Sequence, residues 1–476
     1  MNLSIVQALR VDSSPCIAFI GAGGKTTALF QLARTLSKEN APSVIVTATS
    51  HLGAWQFGLA DQHIMTDSPA PLEELEHGLQ GVILVTGEMA GDRSKPIHES
   101  LLNWLYQYCG YHAIPLLIEA DGSRQKPLKA WADHEPAIPD FVKAVVQVVG
   151  LTGLGKPLND EFVHRSKIFS SISGLESGEI VTAEALGRIL TDDRGGLKNM
   201  PMKARRVMLL NQADTDALQA IANGMVQPLL SDYDSVIIAS LKEDRIYAVH
   251  ERIAGIILAA GESTRYGQSK QLLDWRGEPF IRVVAKTARE AGLSPVIVVT
   301  GANAEKIESA VKDLNVGIAH NSEWKSGQGS SIKAGVLAIQ PPPPYGHLLQ
   351  IQDEEIPVNT ENSYGRFGGG WEGVGGAIFL LVDQPQVTTS VIRALVEKHA
   401  EGLYPIVAPM VIDQRANPVL FDRSTFHDLL SIEGDVGGRA IFHKHRVEYL
   451  PWHDDRLLLD VDTPEMYQRL ISDETL

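Results

Sequence analysis

The sequence predicts an α/β protein of two domains. Its 476 residues exceed the roughly 250–300 at which a single core stops growing. Short apolar runs recur along it, each ending in a loop of glycines, hydroxyls or carboxylates and each followed by helical periodicity. That is the rhythm of parallel strands covered on both faces. The rhythm begins twice, near Ile17 and again near Ile256, and each time the first loop holds glycine and lysine. With 44% hydrophobic and 21% charged residues, the composition fits a soluble globular chain. No apolar run approaches a membrane span and the start lacks a signal-peptide profile. A formal charge of −16 argues against a nucleic-acid backbone as partner. Two cysteines, Cys16 and Cys109, cannot build a disulfide framework, so a reduced, cytoplasmic setting is expected with both as buried filler.

In the first half, Ile17–Ile20 reads as a strand, Gly21-Ala22-Gly23-Gly24 as a loop and Lys25-Thr26-Thr27 as the start of a helix running to about Leu36. Amides at a helix start, with a lysine, cradle phosphate, and a threonine hydroxyl reaches magnesium. Gly21, Gly23, Gly24, Lys25, Thr26 and Thr27 are therefore candidate nucleotide ligands. Phe19 stands where a Walker A loop has glycine, and Thr26 where a dinucleotide fingerprint has its third, so this loop is a shortened relative. A second strand, Ser43–Thr47, ends in Thr47-Ala48-Thr49-Ser50-His51. A third, Pro115–Ile118, runs into Glu119 and Asp121, carboxylates placed to hold a metal-bound water.

The stretch EADGSRQKPLKAWADHEPAIP, the GAGGKTT loop, Val163-His164-Arg165 and Leu210-Asn211-Gln212-Ala213-Asp214 together resemble the YqeC-like family over about residues 10–248. That family is an accessory group linked to selenium-dependent molybdenum hydroxylases. The last stretch is similar to the NKxD base-reading element of GTPases, with Gln212 replacing lysine. The resemblance implies a P-loop-NTPase-like α/β domain over 1–250, ATP or GTP at its loop, and a molybdenum hydroxylase apoenzyme or its chaperone as partner. The junction Ala248–Ala254 has no Gly/Ser linker, so closely docked domains are expected.

The second half opens on GIILAAGESTRYGQSKQLL, residues Gly255–Leu273. Ile256-Ile257-Leu258 reads as a buried strand, and small residues after it let backbone amides curl around an anionic group. Arg265 and Lys270, against the single acid Glu262, suit a triphosphate. A helix over Pro279–Ala291, a strand Val296–Thr300, a helix Ala304–Leu314 and a strand Val316–Ala319 follow by pattern. The segment His320–Ser331 carries glycines and serines that approach a ligand and cap a helix starting near Ser331. Residues Pro341–Gly376 read as a mobile insertion. The strand Ile378–Val382 then ends in Asp383, and Leu459–Pro464 is read as a strand with Asp460 and Asp462 on one face.

The loop pattern LAAG-x-S-x-R-hydrophobic-G-x-x-K resembles the MobA-like nucleotidyltransferase superfamily, and Lys270-Gln271-Leu272-Leu273 its molybdenum cofactor cytidylyltransferase branch. The resemblance implies a Rossmann-like nucleotide-diphospho-sugar-transferase domain, α/β/α, over 251–476. It places Arg265 and Lys270 on the α-phosphate of CTP, Asp383 on Mg2+, and Asp462, with Asp460 as the alternative, as a second metal contact. Leu258, Ala259, Ala260, Gly261, Glu262 and Ser263, with Gly329, Ser330 and Ser331, would hold the nucleotide. Asn417, Pro418, Gly434 and Asp435 would shape the side of a molybdopterin-type acceptor. Two other readings stay open: GTP or a sugar-phosphate acceptor in the same fold, or a nucleotide-gated cofactor carrier that releases no pyrophosphate.

Overall fold

The computed structural model describes residues 3–11, 15–39, 41–70, 80–262, 269–339 and 373–472. Ser263, Arg265 and most of the expected insertion lie outside the described residues. The chain divides into two compact units, Met1–His250 and Glu251–Leu476.

The first unit is built on a nine-stranded sheet. Its strands are β1 (Cys16–Gly21), β2 (Ser43–Ala48), β3 (Gln62–Met65), β4 (Gly81–Thr86), β5 (Leu116–Glu119), β6 (Ala144–Gly150), β7 (Arg205–Asn211), β8 (Ser235–Ser240) and β9 (Arg245–Glu251). They lie in the order β9-β8-β7-β6-β1-β5-β2-β4-β3. β1 pairs in parallel with β5 on one side and β6 on the other. Every residue of β1 and of β2 is buried, which is why both read as unbroken apolar runs.

Helix α1 (Lys25–Glu39) packs over β1, β2 and β5 with Leu29, Leu32 and Leu36 fully buried. Each such leucine contributes about 1.5–3 kcal/mol by leaving water. Alternate β1 residues Cys16, Ala18 and Ile20 join a cluster with Leu101, Leu105 and Cys109 of α2 (Glu99–His112) and with Met225, Val226 and Leu229 of α3 (Asp216–Leu229).

The second unit has an eight-stranded mixed sheet. Strands β10 (Ile253–Leu258), β11 (Val296–Thr300), β12 (Gly317–His320) and β13 (Gly376–Leu381) are parallel neighbours in the order β12-β11-β10-β13. β14 (Ile406–Val411), β15 (Gln414–Arg415), β16 (Val419–Asp422) and β17 (Val447–Pro451) complete it, with β16 antiparallel to β13. Along β10 the core alternates. Ile253 and Ile257 face one cluster, with Phe280 and Val284 of α4 (Phe280–Glu290), while Ala254 and Ile256 face the other, with Ile332 and Val336 of α5 (Gln328–Ala338). The two-residue period thus covers both faces of one strand. Among the described residues no helix is long and apolar enough to cross a membrane.

Three expectations need correcting. Leu459–Asp462 is not a strand: Val461 N–H bonds to the Asp383 carbonyl and Asp462 N–H to the Asp460 carbonyl, which leaves no ladder for a sheet. Helix α5 begins at Gln328, three residues before Ser331, because the loop at Gly434 accepts the Gly329 N–H at 3.1 Å and satisfies the first turn. The insertion does not reach Gly376. Val374 is already buried in the core and Gly375 N–H bonds to the Arg252 carbonyl at 2.8 Å.

Candidate functional site

In the first unit the loop after β1 is held in conformations that only glycine adopts freely. Gly21, Gly23 and Gly24 have φ of 97°, 76° and 118°, the left-handed region where a Cβ is costly. A Cβ on Gly21 would stand 2.1 Å from the Val148 carbonyl oxygen, and one on Gly23 2.2 Å from Gly150. The loop therefore lies directly against β6, with its amides at the start of α1.

Behind that loop sits a saturated polar hub. The Asp121 carboxylate accepts from Gly21 N–H, Lys25, Lys129 at 2.8 Å and the Trp131 indole at 2.7 Å. Lys25 is 3% exposed and Asp121 0%. Burial alone would push the Lys25 ammonium down, but Asp121 and Glu119 hold it above the ordinary lysine range. Burial likewise opposes the Asp121 charge, yet Lys25 and Lys129 bring its carboxyl down to about 2. Glu119, which burial raises despite Lys25, accepts from Thr26 Oγ1 at 3.1 Å.

A cavity of about 730 Å³ opens over the loop, and Gly23, Gly24, Lys25, Thr26, Thr27 and Glu119 line it. The structure thus brings together six of the eight residues expected there. Gly21 and Asp121 do not line it; they anchor the loop from beneath. Asn211 also serves the loop, donating to the Gly23 carbonyl at 2.8 Å and accepting from Leu241 N–H at 3.0 Å. Sequence reasoning missed Trp55, Gln56, Arg93 and Thr152, which line the same cavity. Gln56 donates to Thr26 Oγ1 at 3.2 Å. These residues follow β2, precede α2 or follow β6, and no local spacing connects them to the glycine loop.

In the second unit, the ends of β10 and β13 and the Asp460–Asp462 segment converge. Lys270 Nζ donates to Asp462 at 2.5 Å and stands 3.9 Å from Asp383. Gln384, next to Asp383, donates to Asp460 at 2.5 Å. Burial, then Asp460 and Asp462, push the Asp383 carboxyl up to about 6 against the pull of Lys270. Burial and Asp462 raise Asp460 as well, although the Gln384 bond opposes them. Lys270 is 11% exposed, Asp383 25% and Asp462 46%, so the cluster faces solvent. Its carboxylate oxygens are the donors a hard divalent cation takes. Among the described residues no three acidic, histidine or cysteine side chains enclose a metal by themselves. A magnesium ion here would complete its shell with water or phosphate oxygens.

The loop's small residues are in place: Ala259 and Ala260 are buried after Leu258, while Gly261 and Glu262 are exposed. Gln271, itself buried, donates to the Ala259 carbonyl at 3.2 Å and the Gly261 carbonyl at 2.6 Å. It braces the start of the loop, a part the sequence reading gave only as a family mark. Asn321 donates to Ser330 and Ser331 hydroxyls at 2.8 and 3.0 Å. Gly434 and Asp435 meet the N-terminus of α5, where Gln328 N–H approaches Asp435 at 3.4 Å. The expected nucleotide and acceptor segments are therefore adjacent here. Asn417 is half-buried and Pro418 buried before β16.

Residues 17–167 match the family described as YqeC protein, and residues 255–449 the MobA-like NTP transferase domain. The chain joins a YqeC domain to a MobA-like NTP transferase domain. Uncharacterized protein YqeC of Escherichia coli is 28% identical over 232 residues, 48% of this chain and 88% of that protein. Nicotine blue oxidoreductase of Paenarthrobacter nicotinovorans is 27% identical over 46% of this chain and 96% of its own length. Molybdenum cofactor cytidylyltransferase of Escherichia coli is 36% identical over 86 residues, 18% of this chain and 44% of that enzyme. The solved structure of Rv0371c from Mycobacterium tuberculosis is 25% identical, covering 47% of this chain and 98% of that one, with a TM-score of 0.36.

Proposed function

We propose that the second unit transfers a cytidylyl group from CTP to the phosphate of a molybdopterin-type cofactor and releases pyrophosphate. The observation that carries this reading is the Lys270 ammonium between Asp462 and Asp383 at the carboxyl ends of the parallel strands β10 and β13. An acceptor phosphate oxygen would attack the α-phosphorus of CTP while the bond from that phosphorus to its bridging oxygen breaks. Such a reaction asks for in-line placement and charge neutralisation more than for a protein nucleophile. Lys270 would turn from Asp462 towards the crowded α-phosphate oxygens, a role the loop pattern gives to Arg265 as well. Asp383 and Asp462 are the residues that would hold magnesium, whose charge would offset that of the triphosphate. Gln271 would keep the Ala259–Gly261 amides in position beneath the phosphates. The choice of CTP is supported by the KQLL stretch and by the partial likeness to the Escherichia coli cytidylyltransferase.

In the first unit the glycine loop, Lys25, Thr26 and Glu119 would bind ATP or GTP, with an accessory role in the maturation of a molybdenum hydroxylase. The deciding assay measures pyrophosphate from the folded chain with magnesium, CTP or GTP, and molybdopterin-type cofactor. Release with CTP that requires the acceptor is expected. Preference for GTP would reverse the base assignment. No release with either nucleotide would leave a cofactor carrier.

A further inference from the structure

Beside the loop cavity of the first unit lies a second one of about 550 Å³. The two share His51, Arg93, Gly122, Arg124 and Lys126, so one wall serves both. Ser50, His164 and Arg165 line only the second. Four permanent cations, Arg93, Arg124, Lys126 and Arg165, face two carboxylates, Glu135 and Asp160. Glu135 is already matched inside the protein, by Arg165 and by Lys129 at 3.0 Å. In a chain of net charge −16, a concavity with this surplus of cations is a local exception to the surface around it.

The backbone and the polar groups point the same way. Arg124 and Arg165 both hold positive φ, 52° and 63°, a strained choice for side chains that carry a Cβ. The Ser50 hydroxyl is buried and has no hydrogen-bond partner among the described residues, a state that calls for a ligand or water. His164 is kept neutral well below its usual range, at about 4, by burial and by the charges of Arg165 and Lys129. A neutral imidazole and a free hydroxyl add hydrogen-bonding capacity to the cations.

We propose that this second cavity binds a small oxyanion, a molecule bearing phosphate or carboxylate, alongside a nucleotide held at residues 21–27. Arg124, and the N–H groups of Arg165 that Glu135 does not take, would supply donors for such a group, and Ser50 a hydroxyl donor. This rests on the reading of the glycine loop as a nucleotide site. The shared wall would set the oxyanion next to the terminal phosphate of that nucleotide.

The test uses the full chain loaded with magnesium and a non-hydrolysable ATP or GTP analogue, titrated calorimetrically with inorganic phosphate in one arm and succinate in the other. Binding of either anion to the loaded protein is expected, and the tighter arm identifies the chemistry. Arg165→Gln should weaken it about 10-fold, as loss of a charge-assisted bond would, and Ser50→Ala by a smaller factor. Both variants should leave analogue affinity within about 2-fold, since neither residue lines the loop cavity. Ser50→Ala removes a hydroxyl that the fold does not use, so it guards against a folding defect in Arg165→Gln. If the analogue binds but neither anion does, or if both variants bind anion normally, the second cavity is not a ligand site. If the analogue displaces the anion, the two share one site and the proposal fails. If no analogue binds at all, the nucleotide reading itself is lost.

Discussion

Both units place a lysine between carboxylates at the carboxyl ends of parallel strands, but they treat the charges in opposite ways. Around Lys25 everything is buried and matched: Asp121 takes donors from Gly21, Lys25, Lys129 and Trp131. Around Lys270 the charges are partly open, and among the described residues Asp383, Asp460 and Asp462 stand against one ammonium. The first arrangement is already charge-matched and shapes a loop, so Lys25 would exchange a carboxylate for phosphate on binding a nucleotide. Among the described residues the second carries a negative excess that a divalent cation would offset. A buried ion pair is costly to break because the remaining charge is stranded, whereas removing one of several like charges in an open cluster relieves repulsion. The contrast separates a lysine matched by buried carboxylates from one set among carboxylates open to solvent.

The largest effect should come from the open cluster. Lys270→Ala and Asp383→Ala should each lower cytidylyl transfer by about 100-fold or more, with circular dichroism and unfolding midpoint unchanged. A variant that keeps near-normal turnover in a steady-state pyrophosphate assay removes its residue from the mechanism. The reverse pattern is expected for the closed hub. Asp121→Ala removes the carboxylate that two buried lysines share and should cost the first unit about 3 kcal/mol, read from denaturant midpoints, while transferase turnover in the second unit persists. Loss of both together would show that the two sites do not behave separately.

A third, smaller effect sharpens the electrostatics of the first unit. His164 is neutral in the native state down to about 4, its shift caused by burial and then by Arg165 and Lys129. The unfolded imidazole takes up a proton below about 6.5. Stability should therefore fall as pH drops from 6.5 towards 4, because only the unfolded state binds that proton across the window. Urea midpoints at pH 7 and pH 5 should show this drop, and it should shrink in His164→Asn. The smallest effect is a silence. Burial pushes the Cys16 thiol up to about 12 and the Cys109 thiol higher still, so an alkylating reagent at pH 8 should label neither in the native protein. Both cysteines belong to the first unit, so labelling under denaturant reports that unit alone and can follow Asp121→Ala. Rapid native labelling would contradict the packing around α2.

The sequence made the two loops legible because their requirements are local. A strand, glycines and a lysine within ten residues describe the 21–27 loop, and the structure gives those glycines the strained angles that explain them. Apolar runs were equally legible, since burial on both faces leaves no polar position. What escaped depends on distance along the chain. Asp121 reads as a carboxylate after a strand, but its partners Lys129 and Trp131 arrive through a turn that no period describes. Arg93 and Gln56 reach the loop cavity from separate segments. Asp460 and Asp462 fit a strand by alternation alone, yet bonds to Asp383 and within the segment itself take the place of a ladder. Gln271 reads as a family mark and proves to be a brace.

The glycines of the two loops differ in a way that bears on mutational tolerance. Every change at Gly21, Gly23 or Gly24 adds a Cβ into backbone or the Asn211 amide at 2.1–2.2 Å, so a saturation library selected only for solubility should already be empty at those three columns. Among the described residues nothing lies within 4 Å of where a Cβ on Gly261 would sit, and its φ is not in the left-handed region. The same library should accept many residues there. Selected instead for turnover, it would show at Gly261 how closely the nucleotide approaches the backbone, free of any contribution from folding.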